Sequence, residues 1–190
     1  CSVVVGGQKD VSGEDSVPHD LAFNTDGTKM FVVGSNEDEV NEYTCTTGFD
    51  VSSCSVVVGG QKDVSGEEMF PRGLAFNTDG TKMFVVGSIG DEVNEYACSA
   101  GFDVSTCAFT DAFSVAAQET TPYALAFNTD GTKMFVTGTD GDDVNEYACT
   151  TGFDVSSCGF TDAFSVAAQE TFPTGLAFNT DGTKMFVAGA

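Results

Sequence analysis

Basic residues are scarce in this 190-residue chain: seven Lys and Arg stand against 29 Asp and Glu, for a net charge of −22. A chain without a basic footprint is not expected to bind nucleic acid or an anionic membrane. Histidine occurs once, as His19, and so adds little support to a zinc site. No run approaches the roughly 18 apolar residues of a membrane span, so membrane insertion is not expected, and no signal peptide is visible. No segment carries a 3.6-residue apolar period, which argues against any helix longer than a turn. There is no Asn-x-Ser/Thr sequence, leaving only O-linked glycans at Ser/Thr-rich stretches such as Thr46-Thr47 and Thr150-Thr151. The acidic excess alone would suit a disordered chain. Seventeen Phe residues and many Val in a strict pattern argue instead for a folded domain with an acidic, aggregation-resistant surface, screened in a salty medium.

What the chain has in abundance is itself. Leu-Ala-Phe-Asn-Thr-Asp-Gly-Thr-Lys-Met-Phe-Val begins at Leu21, Leu74, Leu125 and Leu176, with a period of 51–53 residues. A fixed period of this size signals a stacked or radial array of one supersecondary unit. In the unit that starts at Leu125, Leu125–Phe127 reads as a short strand A. Asn128–Thr132 is a turn whose Asp-Gly supplies positive φ. Lys133–Thr137 is a strand B, apolar on both faces. An acidic turn then leads to Val144–Cys149, an alternating, partly polar strand C, and a connection leads to Cys158–Phe164, strand D. Falling apolarity from A and B to C and D is what a β-propeller blade requires, with inner strands packed between blades and outer strands wet. A β-helix is the structural rival; its rungs are usually shorter and lack repeated Asp-Gly hairpins.

The seven cysteines follow the same period. Cys45/Cys54, Cys98/Cys107 and Cys149/Cys158 each lie nine apart, a spacing wrong for zinc. They are expected to form three disulfides across the C–D hairpins, in an oxidising, extracytoplasmic compartment. Reduced cytosolic thiols are the alternative. Cys1 aligns with Cys54, so its expected mate lies upstream.

The strings Leu-Ala-Phe-Asn-Thr-Asp-Gly-Thr-Lys-Met-Phe-Val-x-Gly and Asp/Glu-Val-Asn-Glu-Tyr resemble YVTN/lactonase-like propeller repeats. They are more similar still to the long repeat arrays of aquatic bacterial and phage surface proteins. The resemblance covers essentially the whole chain and implies extracellular or cell-surface display; cysteines at the ends of C and D depart from the common pattern. The expected fold is all-β: a β-propeller of four-stranded antiparallel blades, as a segment of a longer array or filament. Residues 1–20 are read as the outer strand and connection of a preceding blade, 21–73, 74–124 and 125–175 as three blades, and 176–190 as the inner strands of a fourth.

Comparison of the repeats with one another locates their variation. The residue after each proline is His19, Arg72, Tyr123 or Thr174, and the residue before it includes Phe70 and Phe172. These lie on the D–A/B–C face and form a candidate ligand face, although exposed loops also drift freely. The acidic B–C turns hold Asp38, Asp91, Asp140 and Asp142, hard oxygen donors suited to Ca²⁺, but without the EF-hand or RTX spacing. No nucleophile is placed beside His19, so the chain is expected not to be an enzyme and to need no cofactor. The leading expectation is a structural protein of a surface filament or adhesive appendage that self-associates head to tail, each junction being the same junction. The alternative is a carbohydrate- or surface-binding propeller, and after it a lactonase-like metal-dependent hydrolase.

Overall fold

The computed structural model describes residues 4–190; Cys1 lies outside them. The chain forms three complete four-stranded antiparallel sheets and one two-stranded sheet. The first sheet comprises β1 (Pro18–Phe23), β2 (Lys29–Gly34), β3 (Glu39–Cys45) and β4 (Cys54–Asp63) in sequential order. The second comprises β5 (Pro71–Phe76), β6 (Lys82–Gly87), β7 (Glu92–Cys98) and β8 (Cys107–Ser114), and the third β9 (Pro122–Phe127), β10 (Lys133–Gly138), β11 (Asp143–Cys149) and β12 (Cys158–Ser165). The last pair is β13 (Pro173–Phe178) and β14 (Met185–Gly189). The innermost strands β1, β5, β9 and β13 lie beside one another, so the sheets stack face on face as blades. Among the described residues the helical segments are three short 3₁₀ turns, each just before the second cysteine of a pair, and no helix is long and apolar enough to cross a membrane.

Local chemistry sets each hairpin. Asn24 caps the A–B turn, its side-chain oxygen accepting from the Lys29 backbone N–H at 2.9 Å, and Asn77, Asn128 and Asn179 repeat this bond. Gly27 takes φ +72°, and its carbonyl accepts from the Phe49 N–H of the C–D connection. A Cβ at Gly27 would run into the Phe49 ring, so only glycine fits. The disulfides Cys45–Cys54, Cys98–Cys107 and Cys149–Cys158 tie the outer hairpins. They support a location outside the cytoplasm.

The core lies between blades. Phe31, Val33, Val40 and Val64 pack against Leu74, Met83, Val85, Tyr96 and Val104 of the next blade, and Phe84, Val86, Val93 and Val115 repeat this one blade on. Strand C differs from the expectation of a partly wet strand. In β3 and β7 the Asn and Glu are buried along with their Val and Tyr. The cause is an ionic clasp between blades: Lys29 Nζ lies 2.7 Å from Glu42 and also donates to the Phe102 carbonyl of the next blade. The second Glu42 oxygen accepts from the Val104 N–H at 3.3 Å. Lys82, Glu95, the Phe153 carbonyl and the Val155 N–H form the second clasp. A buried carboxylate is tolerated here because both of its oxygens meet a donor.

Candidate functional site

The residue after each proline occupies a β-bulge. In β1, Pro18 pairs with Gly34 and Asp20 with Val33, so His19 is the extra residue; β5, β9 and β13 shift register in the same way at Arg72, Tyr123 and Thr174. A bulge re-aims the side chain it carries, which is why these four positions project together along the rim of the inner strands. The Arg72 guanidinium carbon stacks 4.6 Å from the Tyr123 ring centroid, and the Tyr123 and Phe172 rings meet edge to face at 5.8 Å. His19 Nε2 is hydrogen-bonded to Ser35 Oγ at 2.8 Å. Burial holds the His19 imidazole below its ordinary pKa; the Arg72 charge adds to this and Asp15 opposes it. Phe70 stays exposed on the same rim, and Thr174 is half-buried at its far end.

Arg72 is the unusual member. Among the described residues it forms no ion pair, and its Nε is buried without a hydrogen-bond partner. In a chain this acidic, a guanidinium left without a carboxylate is a donor fork available to an incoming group. Tyr123 and Phe172 offer apolar ring faces beside it.

The rim rests on a device the sequence does not announce. Three residues before each proline stands an acid: Asp15, Glu68, Glu119 or Glu170. Glu68 is 1% exposed and accepts backbone N–H bonds from Phe70, Ile89 and Gly90, so it joins the D–A loop to the B–C turn. Asp15 does the same with Val17, Asn36 and Glu37, and Glu119 with Thr121 and Asp140. A Cβ at Gly34, Gly87 or Gly138 would collide with these carboxyls, which explains the glycine that ends each strand B. Burial raises the Glu119 pKa, against the pull of its two backbone bonds. The period was legible, but the change from Asp to Glu and the surrounding acidity hid the role.

The weak Ca²⁺ candidates Asp38, Asp91, Asp140 and Asp142 lie in the B–C turns. Among the described residues no group of three or more His, Cys, Asp or Glu side chains is placed to hold a metal ion. Asp38, Asp91 and Asp142 instead adopt positive φ in the B–C turns, and Asp140 accepts from the Thr120 hydroxyl.

No protein-family profile and no curated protein sequence matches the chain. Solved structures do. A periplasmic gluconolactonase of Pseudomonas aeruginosa aligns over 90% of this chain and 47% of its own, with 20% identity and a TM-score of 0.57. The fold is a β-propeller. A Bacteroides fragilis protein provisionally named a 6-phosphogluconolactonase aligns over the same shares at 15% identity and a TM-score of 0.63, and a Lactobacillus plantarum protein over 90% and 48% at 16% and 0.65. The chain thus spans about half the length of the propellers it matches. At these identities the likeness establishes fold alone. It still overturns the expectation that the chain is not an enzyme, because propellers named as lactonases are among the chains it superposes on. The comparisons favour the ligand-binding and lactonase-like alternatives over a structural filament.

Proposed function

We propose that the chain belongs to an extracytoplasmic propeller that binds a sugar lactone along the row His19, Arg72, Tyr123 and Phe172 and hydrolyses it. The observation that carries this reading is the unpaired Arg72 guanidinium held against Tyr123 within reach of the His19 field. The names of the neighbouring lactonases support the same chemistry. Tyr123 and Phe172 would pack against the C–H face of the sugar. His19, kept neutral by burial, would take a proton from water as the oxygen attacks the lactone carbonyl, then return it to the ring oxygen as the C–O bond breaks. Arg72 would face the negative charge that develops on the carbonyl oxygen, and would face the product carboxylate once the new carboxyl group releases the second proton of the water to solvent. Ser35 would orient the imidazole through its bond to Nε2.

The test is hydrolysis of glucono-δ-lactone, followed as acid release above the spontaneous rate. Arg72→Ala should lower kcat/KM at least about 100-fold, the loss typical of removing one charge-stabilising donor. His19→Gln should abolish the pH dependence that the wild-type rate shows below neutrality. A wild-type rate equal to that of buffer, together with no binding of gluconate, would sink the proposal.

A further inference from the structure

The four inner strands differ at one position. Two residues after each proline stand Asp20, Gly73, Ala124 and Gly175. They share one register, paired with Val33, Val86, Thr137 and Ala188. Small residues suit a place where inner strands run close: a Cβ at Gly73 would lie 2.8 Å from the Tyr123 carbonyl oxygen and 3.0 Å from the Ala124 Cα. Asp20 alone of the four brings a polar group there. Its Oδ1 accepts from the Leu21 N–H at 2.8 Å, and its Oδ2 reaches the second blade, where it accepts from the Leu74 N–H at 2.9 Å. Gly73 and Ala124 have no side-chain acceptor to offer Leu125 and Leu176, the equivalents of Leu74, so this staple belongs to the first junction.

Burial raises the Asp20 pKa, against the pull of its bonds from Leu74 and Leu21. The carboxylate is thus held in a dry place, at a cost that the other junctions avoid with Gly or Ala. The strands it ties are the two that bear His19 and Arg72. Asp20 directly follows His19, and its partner Leu74 lies two residues beyond Arg72. The two rim side chains lean on different neighbours, His19 on Ser35 of the first blade and Arg72 on Tyr123 of the third. Their placement relative to each other therefore rests on the strands beneath them.

We infer that Asp20 is a positioning residue of the rim: by bonding β1 to β5 it fixes where His19 stands relative to Arg72. Its consequence for catalysis rests on the lactone hydrolysis proposed for the rim, in which His19 moves the proton and Arg72 faces the charge on the same carbonyl. In that scheme Asp20 touches no reacting atom and acts through the two residues it places, where small displacements are costly. The staple itself does not depend on that chemistry and is measurable without a substrate.

His19 is the chain's one histidine, so NMR of its imidazole protons gives a clean titration on the intact, oxidised chain. That titration reports burial, the Arg72 charge and the opposing Asp15 charge. Arg72→Ala in the wild type should raise the His19 pKa. In the Asp20→Ala background, with β1 and β5 untied, the same substitution should produce less than about half that rise. Asp20→Asn keeps an acceptor for the Leu74 N–H and should restore most of it. Alanine is native at position 124, so Asp20→Ala should keep the circular dichroism of the wild type. Equal rises in all three backgrounds would mean that Asp20 acts as an independent charge or a plain support, and would overturn the inference; no rise in the wild type would overturn it too. In hydrolysis of glucono-δ-lactone, Asp20→Ala should lower kcat/KM about 10-fold or more, and Asp20→Asn by less. An unchanged rate in Asp20→Ala would count against the inference in the same way. A wild type that does not hydrolyse the lactone would remove the functional reading, and the titration would still decide for or against the staple.

Discussion

Glu68 shows how much one side chain holds in this fold. Its carboxylate is sealed from water and serves three backbone N–H donors that have no other use inside the loop. Glu68→Ala strands those donors and should cost about 3 kcal/mol or more in chemical unfolding, whereas Glu68→Gln keeps an acceptor and should cost about half as much. His19 makes a second residue-scale prediction. Burial depresses its pKa, so the unfolded chain binds a proton at a pH where the folded chain does not. Stability from this group is therefore present above the ordinary histidine pKa of about 6.5 and is lost as pH falls below it. The stability of the wild type relative to His19→Gln should shrink between neutral and mildly acidic pH, as read by denaturant midpoints. The variable residues of the rim were legible by aligning the repeats with one another. Their common face followed from the loop topology; the bulge that aims them did not, because a bulge is a property of pairing register and leaves no mark in a single strand's composition.

Strand C is where the element scale departs from pattern reading. Val-Asn-Glu-Tyr alternates like a half-wet strand, yet β3 and β7 are sealed between blades because Glu42 and Glu95 each gain a Lys and a backbone N–H from the next blade. Glu146 of β11 keeps its Lys133 at 2.7 Å but has no such N–H, and Lys133 is 49% exposed. Glu95→Ala should therefore destabilise by about 3 kcal/mol, as when a buried pair loses one partner. Glu146→Ala should cost less than about 1 kcal/mol, as at a solvated pair. Matched urea titrations of the two variants measure the contrast. At the outer hairpins, each disulfide closes a loop across a nine-residue separation. Replacing Cys98 and Cys107 with Ser should lower stability by about 2–3 kcal/mol in the chain-entropy account, seen as a drop in denaturant midpoint that added reductant does not deepen further at that hairpin. The cysteine period predicted these pairs outright, because the partners lie within one hairpin.

For the molecule as a whole, a net charge of −22 on one compact chain sets a self-repulsion that added salt screens within about 10 Å. The melting temperature should rise between low-salt buffer and several hundred millimolar NaCl, and a fall would show that the Lys29 and Lys82 clasps outweigh the net repulsion.

The sequence by itself determined the period, the four-strand meander, the Asn-capped Asp-Gly hairpins and the three disulfides. All of these arise from contacts within about fifty residues, between groups whose spacing repeats. Only the tertiary structure decided which polar groups are buried, that an acid before each proline bolts the rim, and that a bulge carries His19, Arg72, Tyr123 and Thr174. Those facts depend on what the neighbouring blade presents, and partners from separate repeats, up to 73 residues apart in the clasps' backbone bonds, meet only when the sheets stack.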